Sequence, residues 1–296
     1  MRPREIFSKT TKFVWLKLRA NLVGGLAIIL SIVIMIGLVT FFPVFTYLWL
    51  ILGVLLMGIA IIILEIALFM LKASHVAVVT EAVVSGRIPD DMIAYGQKKV
   101  NVHGWGSMAS FYFLFRLIGG AAKQVSNFLT NALGGVMSSI PGGKLLSGLT
   151  KLFMYTFLDS VPETILAWTF YKSEERRIRT ALQGLRIYLK NFKTMTKSAF
   201  VTALVIICVR LVFFVLVITA LFTAIVTMNF WMLIPTILIA IIIKACKNAF
   251  LDSYIMVTTV GNFMQVAPTT QVKELDFDLY RKCNKYRRLE ARANKE

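Results

Sequence analysis

Six long apolar stretches run through this chain of 296 residues, and they constrain its fold more than any other feature. They read as about Leu22 to Phe42, Tyr47 to Leu71, Met108 to Leu129, Leu145 to Tyr171, Ser198 to Val226 and Trp231 to Tyr254. A helix needs about 20 mostly apolar residues to cross a hydrocarbon layer roughly 30 Å thick. Each stretch meets that length, and period-2 alternation, the mark of a membrane β-barrel, is absent. Composition agrees: 57% of residues are hydrophobic and only 16% are charged, with a mean hydropathy of +0.73. A water-soluble domain of this size has too little interior to hide so much apolar surface. The expected fold is therefore all-α: a polytopic integral membrane protein with six transmembrane helices arranged as three hairpins.

The basic residues give the orientation. Most of the 33 Lys and Arg fall in four segments: 1–21, the connection 72–106, the connection 172–197, and the tail after Asn262. The other three connections hold almost none; 43–46 and 227–230 are uncharged, and 130–144 carries only Lys144. The positive-inside rule then puts both termini in the cytoplasm, and the plasma membrane is the expected location. The formal net charge of +18 is mostly this topological signal, and contact with anionic lipid headgroups follows from it. The basic residues are spread over four segments with no recognition motif, so no nucleic-acid partner is expected. The first apolar run is too long for a cleavable leader and reads as a signal-anchor. Cys208 and Cys246 lie inside spans and Cys283 in the tail, so none is placed for an external disulfide.

Three regions follow: a basic segment 1–21, a membrane domain 22–265, and a basic tail 266–296. Pro43 stops the first span, and the short turns at 43–46 and 227–230 force spans 1 and 2, and spans 5 and 6, to pack as antiparallel neighbours. Gly119, Gly120, Ala121 and Ala122 give span 3 a small-residue surface, suited to close helix contacts. That surface motivates the expectation of a homo-oligomer, a dimer in particular. Two cytoplasmic connections look amphipathic. Arg87-Ile88-Pro89 breaks the chain, and Asp90 is placed to cap a helix within 86–100 that ends at Lys98-Lys99. Residues 173–193 put Ile178, Leu182, Leu185, Tyr188 and Leu189 on one face opposite a basic one, the pattern of a helix lying in the membrane interface. In the tail, Leu279, Cys283, Tyr286 and Leu289 repeat the stripe, with docking between subunits as the alternative to binding lipid. Trp49, Trp168 and Trp231 lie near span ends, where an aromatic belt is expected.

Charged residues inside the apolar stretches carry the functional signal. Each costs at least roughly 2.5–3.5 kcal/mol at mid-bilayer, so such groups face the bundle interior and find partners. Asp159 and Glu163 in span 4 lie one turn apart on the same helix face. Pro162 between them has no N–H to donate, so it should kink the helix and release a carbonyl. Two acids beside a kink resemble a cation or proton site. Span 6 holds Lys244 and Lys247, then Asn248 and Asp252; span 5 holds Arg210, span 3 Arg116, and span 2 Glu65 toward its inner end. Two readings stand side by side. In one the four acids and four bases pair structurally. In the other several of them line a pathway for an ion or small cationic solute.

Enzyme signatures are lacking: the sequence has no GxGxxG after a strand, P-loop, HExxH or GxSxG. His75 and His103 have no acid or cysteine at ligand spacing, so no metal or other cofactor is expected. One resemblance adds to this. Gly106-Ser107-Met108 opens span 3, Lys190-Asn191-Phe192-Lys193 through Ser198-Ala199-Phe200 precedes span 5, and Phe250-Leu251-Asp252-Ser253-Tyr254 closes span 6. With these pieces, about His103 to Pro268 resembles the membrane-spanning C-terminal half of the choline transporter-like family. The resemblance implies a transporter-like membrane fold and marks Asp252 as a candidate. That family's disulfide-bonded outer domain and several of its spans have no counterpart here, so its substrate is not carried over. The expectations are thus a transporter or channel-like protein, or a non-transporting scaffold that binds lipid or protein partners through basic helices.

Overall fold

The computed structural model describes residues 1–101, 112–113, 115–125, 161–172, 177–191, 208–209, 211–219, 222–223, 226, 233–272 and 282–295. Among them the regular structure is helical throughout, with no strand. The chain divides into two units. One comprises Met1–Thr10, Ala73–Val212 and Ser253–Glu296; the other comprises Thr11–Lys72 and Phe213–Asp252.

The second unit is built on long apolar helices. The first is Thr11–Phe41, 31 residues, and the next is Thr46–Ser85, 40 residues, whose last part belongs to the other unit. Both are long and apolar enough to cross a membrane, with a mean hydropathy of 2.9 over their most apolar windows. Only 6% of each window is buried, so Leu26, Leu30, Val33, Ile51, Val54 and Ile62 present their side chains outward. The core helix of a soluble protein hides such residues; an exposed apolar surface of this extent is suited to a hydrocarbon environment. Among the described residues these two helices have that length, and both start or end beyond the sequence estimate. The other four expected spans are described only in part.

The helix stop at Pro43 is present. Phe41 ends the first helix, Pro43–Phe45 forms one 3₁₀ turn, and Thr46 begins the next helix. The Phe45 N–H donates to the Phe42 carbonyl at 3.1 Å, closing the turn. The two helices touch at two points: Gly24 lies against Leu64, and Gly53 against Met35. On another side, Gly25 admits Ile241 from the helix Leu233–Cys246 so closely that a Cβ would stand 2.6 Å from it. The turn between spans 5 and 6 lies outside the described residues.

The first unit has its own core. The C-terminal part of the long helix buries Ala73, Val76, Ala77, Val78, Val79 and Ala82, and Gly86 ends it at φ +71, a left-handed cap open to glycine. Helix Met92–Asn101 follows. Its cap is Asp91, whose carboxylate accepts the Ala94 N–H at 3.0 Å, one residue later than the sequence suggested at Asp90. Gly96 sits against the long helix, where a Cβ would come within 2.6 Å of the Ser74 carbonyl oxygen. Helices Val161–Lys172 and Arg177–Lys190 pack on each other, with Gly184 admitting Trp168 and Ile165. Helix Asn284–Ala293 packs on Arg177–Lys190, and Asp252–Val266 contributes Met256, Val257, Val260 and Phe263 to the core.

Four sequence expectations change here. The apolar face of 173–193 is covered by protein rather than left to the membrane interface: Leu182, Leu185, Tyr188 and Leu189 are all buried. The tail stripe docks within its own chain, where Cys283, Tyr286 and Leu289 are buried too. Trp168 is a core residue, 3% exposed and edge-on to Phe263, and so does not belong to an aromatic belt. The small surface of span 3 is also used internally. Ala121 and Ala122 are buried, Gly119 faces Pro162, and Gly120 faces Lys285. In each case the face packs against another part of this chain.

Candidate functional site

In the second unit, the helix Leu233–Cys246 passes into a π-helical turn, Lys247–Leu251, and resumes as Asp252–Val266. At 3.6 residues per turn, positions five apart point about 140° away from each other. A π turn, whose hydrogen bonds run between residues five apart, brings such positions onto one side. The consequence is direct. Lys247 Nζ donates to both carboxylate oxygens of Asp252, at 3.0 and 2.8 Å, and to the Asn248 side-chain oxygen at 3.3 Å. The extra residue of the turn is what makes this pair.

A polar chain continues from there. Asn248 Nδ2 donates to Asn21 Oδ1 at 3.2 Å, and Asn21 Nδ2 donates to the Lys17 carbonyl at 2.8 Å. Trp15, one turn before Arg19, meets Phe250 edge-on at 5.8 Å and pins the π turn to the first helix. Between these elements lies a cavity of about 170 Å³, lined by Lys17, Asn21, Leu68, Lys72, Asn248 and Asp252. Its described charged lining is two lysines and one aspartate, and Lys247 already holds that aspartate. Lys17 is 6% exposed. This level is the start of the apolar run of the first helix and the end of that of the second. The arrangement brings two lysines, two asparagine amides and one paired carboxylate to a single cavity.

The remaining sequence candidates go elsewhere. Glu65 and Lys244 are exposed and do not line this cavity. Asp159 and Arg210 lie outside the described residues, so the kink at Pro162 and the pairing of Asp159 with Glu163 do too. Glu163 belongs to the first unit and is 2% exposed, inside the fully buried run Val161–Thr169. It lies near Tyr188, whose phenol is held well above its ordinary pKa, by burial first and by the Glu163 charge second. Arg116, in the same unit, is exposed, and its Nε donates to the Tyr112 hydroxyl at 3.0 Å. His75 shares a hydrogen bond with the Thr10 hydroxyl at 3.0 Å, a buried structural pair.

Two arrangements in the first unit were not read from the sequence. Arg186 Nε donates to the Tyr286 hydroxyl at 3.0 Å, and its Nη2 donates to Glu290 at 2.8 Å, all three buried. The signal was present: Arg186 sits among the apolar positions of its helix, and Glu290 is an acid next to Leu289 in a very basic tail. A second cavity, also about 170 Å³, is lined by Ala77, Thr80, Glu81, Val84, Tyr95, Lys99, Phe170 and Tyr171. There the Tyr95 hydroxyl donates to Glu81 at 2.7 Å. Burial, that hydrogen bond and the Glu81 charge together raise the Tyr95 pKa.

Among the described residues no group of three or more His, Cys, Asp or Glu gathers as a metal site would. No protein-family model matches the chain, and neither a curated protein nor a solved structure matches it. The likeness to the choline transporter-like family rests on the short segments quoted above.

Proposed function

We propose that this chain is a six-span membrane protein, both termini cytoplasmic, that works as a membrane-attached scaffold and not as a solute conduit. The observation that carries the reading is the buried Arg186–Tyr286–Glu290 cluster. It joins residues about a hundred positions apart and ties the tail helix to the 177–190 helix, so these basic segments form a folded surface. Arg179, Lys190, Arg287, Arg288 and Arg292 remain exposed on it. A folded basic surface held at the inner membrane face is suited to acidic partner proteins. Two pairs of inward charges serve packing: Lys247 with Asp252 in one unit, Arg186 with Glu290 in the other.

Transport is the second reading, and the π turn is what favours it. Such turns are frequent at functional sites, and this one interrupts an apolar helix at Lys247, Asn248 and Asp252. Reconstitution separates the two. Full-length protein in liposomes, followed with voltage- and pH-sensitive dyes under gradients of inorganic and small organic cations, should show no more flux than empty liposomes. Flux that disappears in Asp252→Asn or Glu163→Gln, with both variants folded, would overturn the scaffold reading and establish transport.

A further inference from the structure

We infer that the cavity lined by Glu81, Tyr95, Lys99, Phe170 and Tyr171 binds a small zwitterion of the amino-acid class, its ammonium at Glu81 and its carboxylate at Lys99. This goes beyond the scaffold role and does not rest on it. The cavity lies within the first unit, where three helices meet. Glu81 comes from Thr46–Ser85, Tyr95 and Lys99 from Met92–Asn101, and Phe170 and Tyr171 from Val161–Lys172. The two charged groups of the described lining are of opposite sign, and each is held at Tyr95 instead of by the other. Glu81 accepts the Tyr95 hydroxyl at 2.7 Å, and the Lys99 ammonium stands 5.8 Å from the centre of the Tyr95 ring. Among the described residues neither charge has an ion-pair partner.

Separated charges of opposite sign select the ligand. A plain cation drawn to Glu81 also meets Lys99, and a plain anion drawn to Lys99 also meets Glu81. A molecule with both charges, one at each end, satisfies the two groups at once. Glu81 has the capacity for it: a carboxylate accepts several donors, so it takes an ammonium N–H while still holding Tyr95. Tyr95 keeps the carboxylate in place. Burial and this hydrogen bond hold its phenol above the ordinary pKa, so it stays protonated and remains a donor. The rings of Tyr95, Phe170 and Tyr171 supply faces on which an ammonium and its methylenes rest. Tyr171 is 38% exposed and Phe170 is half-buried, so this wall is reached from outside. Size agrees. At about 30 Å³ per water, 170 Å³ holds five or six waters, room for a short carbon chain with a charged group at each end.

The test is the thermal shift of full-length protein in neutral detergent at matched ionic strength. The probes are β-alanine, γ-aminobutyrate and ε-aminocaproate, which space the two charges differently, with butylammonium and butyrate as analogues of one charge. At least one of the three zwitterions should raise the melting temperature saturably. It should bind at least about tenfold more tightly than either analogue, and Glu81→Gln or Lys99→Gln should weaken it by a similar factor. Lys98→Gln, an exposed base on the same helix but outside the described lining, should leave the affinity within about twofold. Should Glu81→Gln fail to fold, Tyr171→Leu on the exposed wall serves in its place and should weaken binding at least about threefold. No saturable shift with any of the three zwitterions would overturn the site, as would equal losses from Lys99→Gln and Lys98→Gln. Butylammonium that binds as tightly as the best zwitterion, with no response to Lys99→Gln, would overturn the zwitterion in favour of a simple cation.

Discussion

Arg186 shows most clearly how a single residue sets the architecture. Its guanidinium is buried with Glu290 and Tyr286, so removing one charge strands the other in a poorly solvated place. Arg186→Leu or Glu290→Leu alone should cost about 3–5 kcal/mol, seen as an early melt in detergent, whereas the double replacement should recover most of that loss. Full additivity of the two single effects would show that the pair is not coupled. Two glycines make a contrasting test. Gly96→Ala pushes a methyl group into the Ser74 carbonyl and should cost about 1–3 kcal/mol by overpacking. Gly86→Ala meets nothing within 4 Å, so its cost of about 1–2 kcal/mol comes from the left-handed backbone alone. Tyr95 and Tyr188 give a pH signature. Their phenols titrate above the ordinary value of about 10. The unfolded chain thus ionises first, and the stabilisation present below pH about 10 is lost as pH rises past it. Replacing both with Phe should flatten the alkaline limb of the stability profile, read as melting temperature against pH.

At the scale of elements, the π turn is the feature most open to test. An ordinary helix would turn Lys247 away from Asp252. Deleting Ala249, which lies inside the turn, should restore regular helix and bring Lys247 and Asp252 to a spacing of four, where they still meet. Because the π turn absorbs the extra residue within a single turn, the deletion leaves Met256, Val257, Val260 and Phe263 on their buried face. The expected outcome is a melting temperature close to the parent's with the ion pair intact; a marked loss would show that the π geometry itself is needed for packing. The helices Arg177–Lys190 and Asn284–Ala293 make a related point. Their amphipathic patterns were legible, but an apolar stripe is equally suited to a bilayer, a second subunit or a neighbour in the same chain. The buried Arg186–Glu290 contact selects the last.

For the whole molecule, topology is the decisive quantity. In a background without Cys208, Cys246 and Cys283, cysteines at Thr46, Ser138 and Asn229 should react with an impermeant reagent outside intact cells, and one at Ser173 should not. Labelling at Ser173 from outside would overturn the six-span arrangement with both termini cytoplasmic. The sequence by itself determined that the chain is helical and that its first two apolar stretches form a hairpin turning at Pro43. Length, hydropathy and proline chemistry are local properties that need no partner to be read. It also named Lys247 and Asp252, because charges in an apolar run stand out. What it left undecided was which face meets which. Lys17, Asn21 and Lys72 look like ordinary juxtamembrane residues until the π turn brings Asn248 to 3.2 Å from Asn21, 227 residues away in sequence. Glu163 reads as a charge in an apolar run, and only the tertiary structure shows it buried inside the Val161–Thr169 stretch. Such pairings depend on long-range packing, in which many faces of similar hydrophobicity compete for burial, and only the tertiary structure decides among them.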